Sequence, residues 1–108
     1  MGAWYNGIIT VSNPAAAGRF PQPFMNYVYI LKSLKDNKLY IGYTSNLRLR
    51  YKEHSNGEVK STRNRLPMKL VYYEAYKSEK DARAREKYLK NGGKAHNTLK
   101  DQIKNSIV

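Results

Sequence analysis

Two tyrosine-bearing segments and one short basic stretch hold the residues best suited to chemistry in this chain. Tyr27-Val28-Tyr29 and Tyr40-Ile41-Gly42 each read as part of a strand, and Arg50 and His54 follow one helical turn apart. A guanidinium can grip phosphate oxygens with two parallel hydrogen bonds. An imidazole can donate, accept or shuttle a proton near neutral pH. A tyrosine hydroxyl can take a proton only as phenolate, and with a free pKa of about 10 it needs a nearby cation to do so. The sharpest anomaly lies further on. Ala82, Glu86 and Leu89 share one stripe of a helical segment, the stripe expected to face the core. A carboxylate there needs a partner, with Arg85, Lys87 and Lys90 in reach, or a metal. One carboxylate completed by water and phosphate oxygens suits Mg²⁺, whereas a closed zinc site wants nitrogen and sulfur ligands that this chain does not supply.

Each residue also has a plainer explanation. The chain has ten tyrosines, a favoured strand residue, so most must simply pack. Arg48, Arg50 and Lys52 can form a solvated helix face with His54 beside them. Glu79 and Asp81 need no special account, because acids near a helix start complement its dipole.

The elements that would position these groups are legible from Tyr27 onward. Tyr27 to Ser33 and Leu39 to Thr44 flank Asp36-Asn37 and predict a β-hairpin. A turn centred between Asp36 and Asn37 would set Tyr29 opposite Thr44 and Ser33 opposite Tyr40. Tyr29, Tyr40 and Gly42 then share one face, while Val28, Ile30, Leu39 and Ile41 form an apolar set on the other. Gly42 would leave the tyrosine face open to close approach. Asn46 can cap a helix from Leu47 to about Asn56 that Gly57 closes, with Leu47 and Tyr51 as an apolar i, i+4 pair. Gly57 to Pro67 is a basic loop carrying Lys60, Arg63 and Arg65. Met68 to Tyr76 is a third strand. Ser78 with Asp81 resembles a capping box that opens a helix to Asn91, stopped by Gly92-Gly93. A last helix spans roughly Ala95 to Lys104. The order β-β-α-β-α-α predicts an α+β fold, a small three-stranded, mainly antiparallel sheet flanked by helices.

Residues 1–25 read as a flexible N-terminal extension. Arg19 is the only charge in residues 1–24, which also hold Pro14, Pro21, Pro23 and the run Ala15-Ala16-Ala17-Gly18. Tyr5 to Val11 is at most a weak strand. Met25, directly before the first clear strand, is a candidate natural start. One domain is expected over residues 26–103, with residues 104–108 as a C-terminal tail.

Composition narrows the partners. The chain of 108 residues has no cysteine, and its twenty Lys and Arg against eight Asp and Glu give a formal net charge of +12. Such an excess attracts polyanions, and nucleic acid is the partner it suits best. A membrane surface fits less well, since the single Trp, Trp4, lies outside the basic region. No apolar run approaches the roughly 20 residues that span a bilayer, and the start lacks a signal-peptide pattern. A cytoplasmic protein is expected.

With Glu86 included, the ordered set Tyr29, Tyr40, Arg50, His54 and Glu86 closely resembles the GIY-YIG nuclease family. The matching stretches are Tyr27 to Tyr29, Tyr40 to Thr44, Leu47 to Arg50, His54, the segment Pro67 to Glu74, and Arg85 to Lys87. The first triplet departs from the namesake motif in its glycine and isoleucine but keeps Tyr29. The likeness spans roughly residues 26 to 103 and is similar to standalone single-domain members related to the nuclease module of bacterial excision repair. It implies an endonuclease for phosphodiester bonds in DNA, with RNA as the alternative, in DNA repair or recombination. It also implies a divalent metal ion, Mg²⁺ or Mn²⁺, held by Glu86. Tyr29, aided by His54, would deprotonate water, Tyr40 would position water or phosphate, and Arg50 would offset the charge that develops. Arg48, Lys52, Lys60, Arg63 and Arg65 would contact nucleic acid. Some family nucleases place an Asn after the Glu helix, for which Asn91 and Asn97 are the candidates here.

Two other readings compete. A non-catalytic nucleic-acid-binding module would keep the basic surface and use Glu86 only as an ion-paired structural residue. A small basic structural protein would bind nothing specifically. A carboxylate placed where it would repel phosphate favours the enzyme. Without a separate recognition domain, low sequence specificity or a preference for DNA structure is expected, with a protein partner as one route to targeting.

Overall fold

The computed structural model describes residues 25–108. The extension and the weak strand over Tyr5 to Val11 lie outside them. The chain runs through β1 (Asn26–Ser33), β2 (Leu39–Thr44), α1 (Leu47–Ser55), a short 3₁₀ turn (Arg63–Arg65), β3 (Met68–Tyr76), α2 (Glu79–Lys90) and α3 (Gly93–Gln102). The predicted α+β order holds. The three strands form one fully antiparallel sheet in the order β2-β1-β3, so the most apolar strand is central.

Both faces of that sheet are covered. On one, Val28, Ile30 and Ile41 pack with Tyr76 and with Ala82, Leu89 and Leu99 of α2 and α3. On the other, Tyr29, Leu31 and Met68 pack with Tyr40, Leu47, Tyr51, Leu70 and Tyr73. Leu47 and Tyr51 are thus the pair that seats α1 on the sheet.

The hairpin register differs from the sequence reading by two residues. Tyr29 faces Gly42, Leu31 faces Tyr40 and Tyr27 faces Thr44. The loop itself causes the shift. Ser33 Oγ accepts from the backbone N–H groups of Lys35 and Asp36, and Asp36 Oδ1 accepts from that of Lys38. Asn37 closes the turn at φ 60°, a left-handed conformation that asparagine tolerates. An even shift preserves side-chain parity, so the expected grouping of Tyr29, Tyr40 and Gly42 survives.

A bulge in the β1–β3 pairing follows Ile30, which faces Tyr72, while Leu31 faces Leu70. Val71 is the extra residue. Consequently Val71 and Tyr72, although consecutive, both pack on the α2 side of the sheet.

Helix ends follow the expected chemistry. Asn46 accepts from the Leu49 N–H, and Ser78 accepts from the Asp81 N–H. Gly92 and Gly93 both take positive φ, 71° and 63°, and make the corner between α2 and α3. As a result α3 starts and ends two residues earlier than predicted. Beyond it, Lys32 Nζ of β1 donates to the Ile107 carbonyl at 2.7 Å.

Candidate active site

Tyr29 leaves the central strand toward α1 and is 1% exposed. Its ring end lies over Gly42, where an added Cβ would overlap Tyr29 Cζ and the hydroxyl. The opening that Gly42 was expected to leave is therefore filled by Tyr29 itself. This absence of a side chain on β2 lets the Tyr29 hydroxyl reach its partners.

His54 of α1 meets that hydroxyl. Its Nε2 stands 2.9 Å from the Tyr29 oxygen, and its Nδ1 stands 2.7 Å from Oγ1 of Thr62. His54 and Thr62 are both fully buried. Burial, with the Arg50 charge adding to it, pushes His54 down to about 4. The ring is therefore neutral at pH 7, not an imidazole titrating near neutrality as its ordinary pKa would suggest. Burial likewise raises Tyr29 to about 12, against a hydrogen bond and charge from Arg50 that favour the phenolate.

Tyr40 stands beside this pair, half-buried. Its ring centroid is 6.4 Å from that of Tyr29 and 5.2 Å from that of His54. Among the described residues, its hydroxyl makes a single long contact, 3.4 Å from Ser61 Oγ. Arg50 reaches the same place from α1 and pairs with Glu53 at 3.1 Å. Both partners keep about a third of their side-chain surface exposed, so the pair is worth under about 1 kcal/mol and yields readily to a phosphate. Arg50 lines an open groove with Glu58, Val59, Lys60 and Ser61.

Glu86 comes from the opposite side. Its helix, α2, packs on the Val28–Ile30 face, yet the Glu86 charge bears on both Tyr29 and Tyr43. Of the three cations in reach, Lys90 is the one that pairs with it, at 3.0 Å, and its carboxylate is 18% exposed. Arg85 is engaged elsewhere, on Glu74. No cluster of three or more metal-ligating side chains occurs among the described residues. A single partly exposed carboxylate fits Mg²⁺, which keeps several waters and takes phosphate oxygens. It does not fit a closed zinc site.

The basic candidates divide. Arg48, Lys52, Lys60 and Arg63 are exposed, as phosphate contacts would require. Arg65 is held by Asp36 at 2.9 Å, and its carbonyl accepts from Ser33 Oγ, so it ties the loop to the hairpin turn. Asn91 caps α2 through its backbone N–H and keeps its side chain exposed, and Asn97 lies exposed on α3. Sequence reasoning missed Thr62, because a threonine in an aperiodic loop carries no pattern. It also missed the bond between Glu74 and Arg85, whose only signal was a carboxylate within a run of tyrosines.

A family model described as the GIY-YIG catalytic domain matches residues 25–100, and the chain belongs to that family, a family of nucleases acting on nucleic acid. Within it, the relatives are UPF0213 proteins. One from Clostridium perfringens is 54% identical over 67 residues, covering 61% of this chain and 71% of that protein. One from Bacillus licheniformis is 44% identical over 66 residues, covering 60% and 67%. The solution NMR structure of a UPF0213 protein from Bacillus halodurans is 34% identical with a TM-score of 0.47, covering 74% of this chain and 85% of that one. No helix among the described residues is long and apolar enough to cross a membrane.

Proposed function

We propose that this chain is a metal-dependent endonuclease that hydrolyses phosphodiester bonds in DNA, directed by DNA structure or low in sequence specificity. The reading extends to a cytoplasmic role in DNA repair or recombination, with targeting aided by a protein partner. One observation carries it. Tyr29, Tyr40 and His54 pack against one another on the α1 side of the sheet, and Arg50 of the same helix as His54 lines a groove there with Lys60.

In hydrolysis, the water oxygen bonds to phosphorus and the bond from phosphorus to the leaving oxygen breaks. Burial keeps the resting hydroxyl protonated, so Tyr29 first gives up its own proton to solvent, a cost that the Arg50 guanidinium lowers. The phenolate then takes the proton of the attacking water, and the leaving oxygen takes a proton from solvent. Tyr40 positions water or phosphate. Arg50, released from Glu53, offsets charge on the phosphoryl oxygens. Glu86 would hold a divalent cation, which when bound polarises the phosphate and stabilises the leaving oxygen.

The test is cleavage of branched, flapped and plain DNA with Mg²⁺, with and without chelator, for the wild type, Glu86→Ala and Tyr29→Phe. Cleavage by the wild type alone, lost on chelation, is expected. Equal cleavage by both variants would remove this site from the reaction. A second reading, a non-catalytic nucleic-acid-binding module, draws on the self-paired resting charges of Arg50 with Glu53 and Glu86 with Lys90. It wins if the wild type binds but never cuts, and Glu86→Ala binds equally well.

A further inference from the structure

We infer that Lys35 and Lys38 of the hairpin turn join Lys60 and Arg63 in one cationic track that takes the DNA backbone beside the scissile phosphate. The choice of duplex DNA as occupant rests on the nuclease reading above. Lys35 and Lys38 lie between β1 and β2, well before the basic loop in sequence, and both are exposed. In space the turn and the loop are one surface.

Hydrogen bonds tie the two together. Ser33 Oγ donates to the Arg65 carbonyl at 2.6 Å, and the Leu34 N–H donates to the Pro67 carbonyl at 2.8 Å. Lys35 Nζ donates to the carbonyl of Asn64, next to Arg63, at 3.1 Å. An ammonium has three hydrogens, so two remain for phosphate oxygens. Arg65 Nε donates to Asp36 Oδ2 at 2.9 Å, and this bond decides the sign of the surface. Asp36 is the acid of the turn, flanked by the two lysines. With Arg65 cancelling it, the turn presents the charge of Lys35 and Lys38. The ties also hold turn and loop in place beforehand, so a bound backbone need not order them.

The track leads to the candidate site. The Ser33 N–H donates to the Lys38 carbonyl at 2.9 Å, which carries the β1–β2 register one pair beyond Lys32 and Leu39. Side chains alternate, so Lys38 falls on the face of Tyr40 and not on that of Leu39. Ser61 Oγ stands 3.4 Å from the Tyr40 hydroxyl, and Ser61 and Lys60 line the groove with Arg50. From Ser33 to Tyr73 the chain carries nine Lys and Arg against three acids. Two of those acids, Asp36 and Glu53, are already paired with arginines. The third, Glu58, lines the groove and accepts from Asn56. Negative charge therefore stays at the groove end, and the outer end of the track is left cationic.

The deciding experiment is the salt dependence of duplex binding by the full chain, read by fluorescence anisotropy in KCl without Mg²⁺. Cleavage of the same DNA with Mg²⁺ is measured beside it. Each contact between a cation and a phosphate steepens the fall of log K with log[salt] by about 0.9. Lys35→Gln/Lys38→Gln should flatten that slope by about 1.8, and Lys35→Arg/Lys38→Arg should keep it. Lys94→Gln/Lys100→Gln removes the same charge from α3, which packs on the opposite face of the sheet, and should leave the slope unchanged. A slope unmoved by the turn pair, or lowered as much by the α3 pair, would overturn the track. If the wild type still cuts in that case, the nuclease reading stands without it. The expected slopes with no cleavage would uphold the track and sink the nuclease reading, and a wild type that binds no duplex would remove both.

Discussion

Arg85 of α2 clasps Glu74 of β3 with two nearly parallel hydrogen bonds, Nε to Oε1 at 2.9 Å and an Nη to Oε2 at 3.0 Å. Glu74 is 1% exposed and also accepts from the hydroxyls of Tyr72 and Tyr76. Burial alone would raise its pKa, but Arg85 and the two tyrosines together hold it below the ordinary value. Glu86 is the next residue along α2, so this clasp sets the rotation of the helix that presents it.

Removing one side of the clasp should be costly. Arg85→Met leaves a buried carboxylate with only neutral donors, and a loss of about 2–4 kcal/mol is expected, since Arg85 keeps some solvent contact. Urea unfolding at pH 7 measures it. A midpoint unchanged from the wild type would mean that the clasp contributes nothing to stability.

Acid should act through His54 before it acts through carboxylates. The folded pKa of His54 lies near 4, below its unfolded value near 6.5. Between these values the unfolded chain binds more protons, so stability is full above pH 6.5 and falls as pH drops toward 4. Glu74 and Asp36, both depressed in the folded state, extend the loss below about pH 4.5. Denaturant midpoints measured from pH 7.5 to 4.5 should fall for the wild type. In His54→Asn that slope should largely disappear; an equal slope in both would place the proton uptake elsewhere.

Gly42→Ala is predicted to be worse than its one added methyl suggests. The new Cβ meets the Tyr29 ring, which is hemmed in on every side, and overpacking of this kind costs about 1–3 kcal/mol. Thermal unfolding gives the cost, and the His54 ring shifts report whether Tyr29 has been pushed off Nε2. An unchanged melt with unchanged shifts would show that the ring has room to move.

Much of the frame was readable beforehand, because it rests on local chemistry. Apolar alternation marked β1 and β2, and Asn46 and Ser78 marked two helix starts. The face shared by Tyr29 and Tyr40 depended only on parity, so it outlived a wrong turn centre. The bulge at Val71 was invisible, since a run of large residues in β3 looks the same with or without an extra one. For the site, residue types and order were legible, but pairings between distant elements were not. Nothing in the sequence of a basic loop says that Thr62 turns inward to His54. Nor does it say that Arg65 will be spent on Asp36, or that Lys90 and not Arg85 will answer Glu86.

The division of the site between the two faces of the sheet bears on how the chain comes off the ribosome. Tyr29, Tyr40, Arg50 and His54 emerge early and gather on the side of α1, while Glu86 arrives with a later helix that docks on the other side. A nascent chain that has folded only its first half holds the tyrosines and the guanidinium without the carboxylate. Such a fragment would carry the groups proposed to meet phosphate but not the carboxylate proposed to anchor the cation. On the proposed nuclease reading, competence to cut would come late in synthesis, when α2 closes over Val28 and Ile30 and the core is completed.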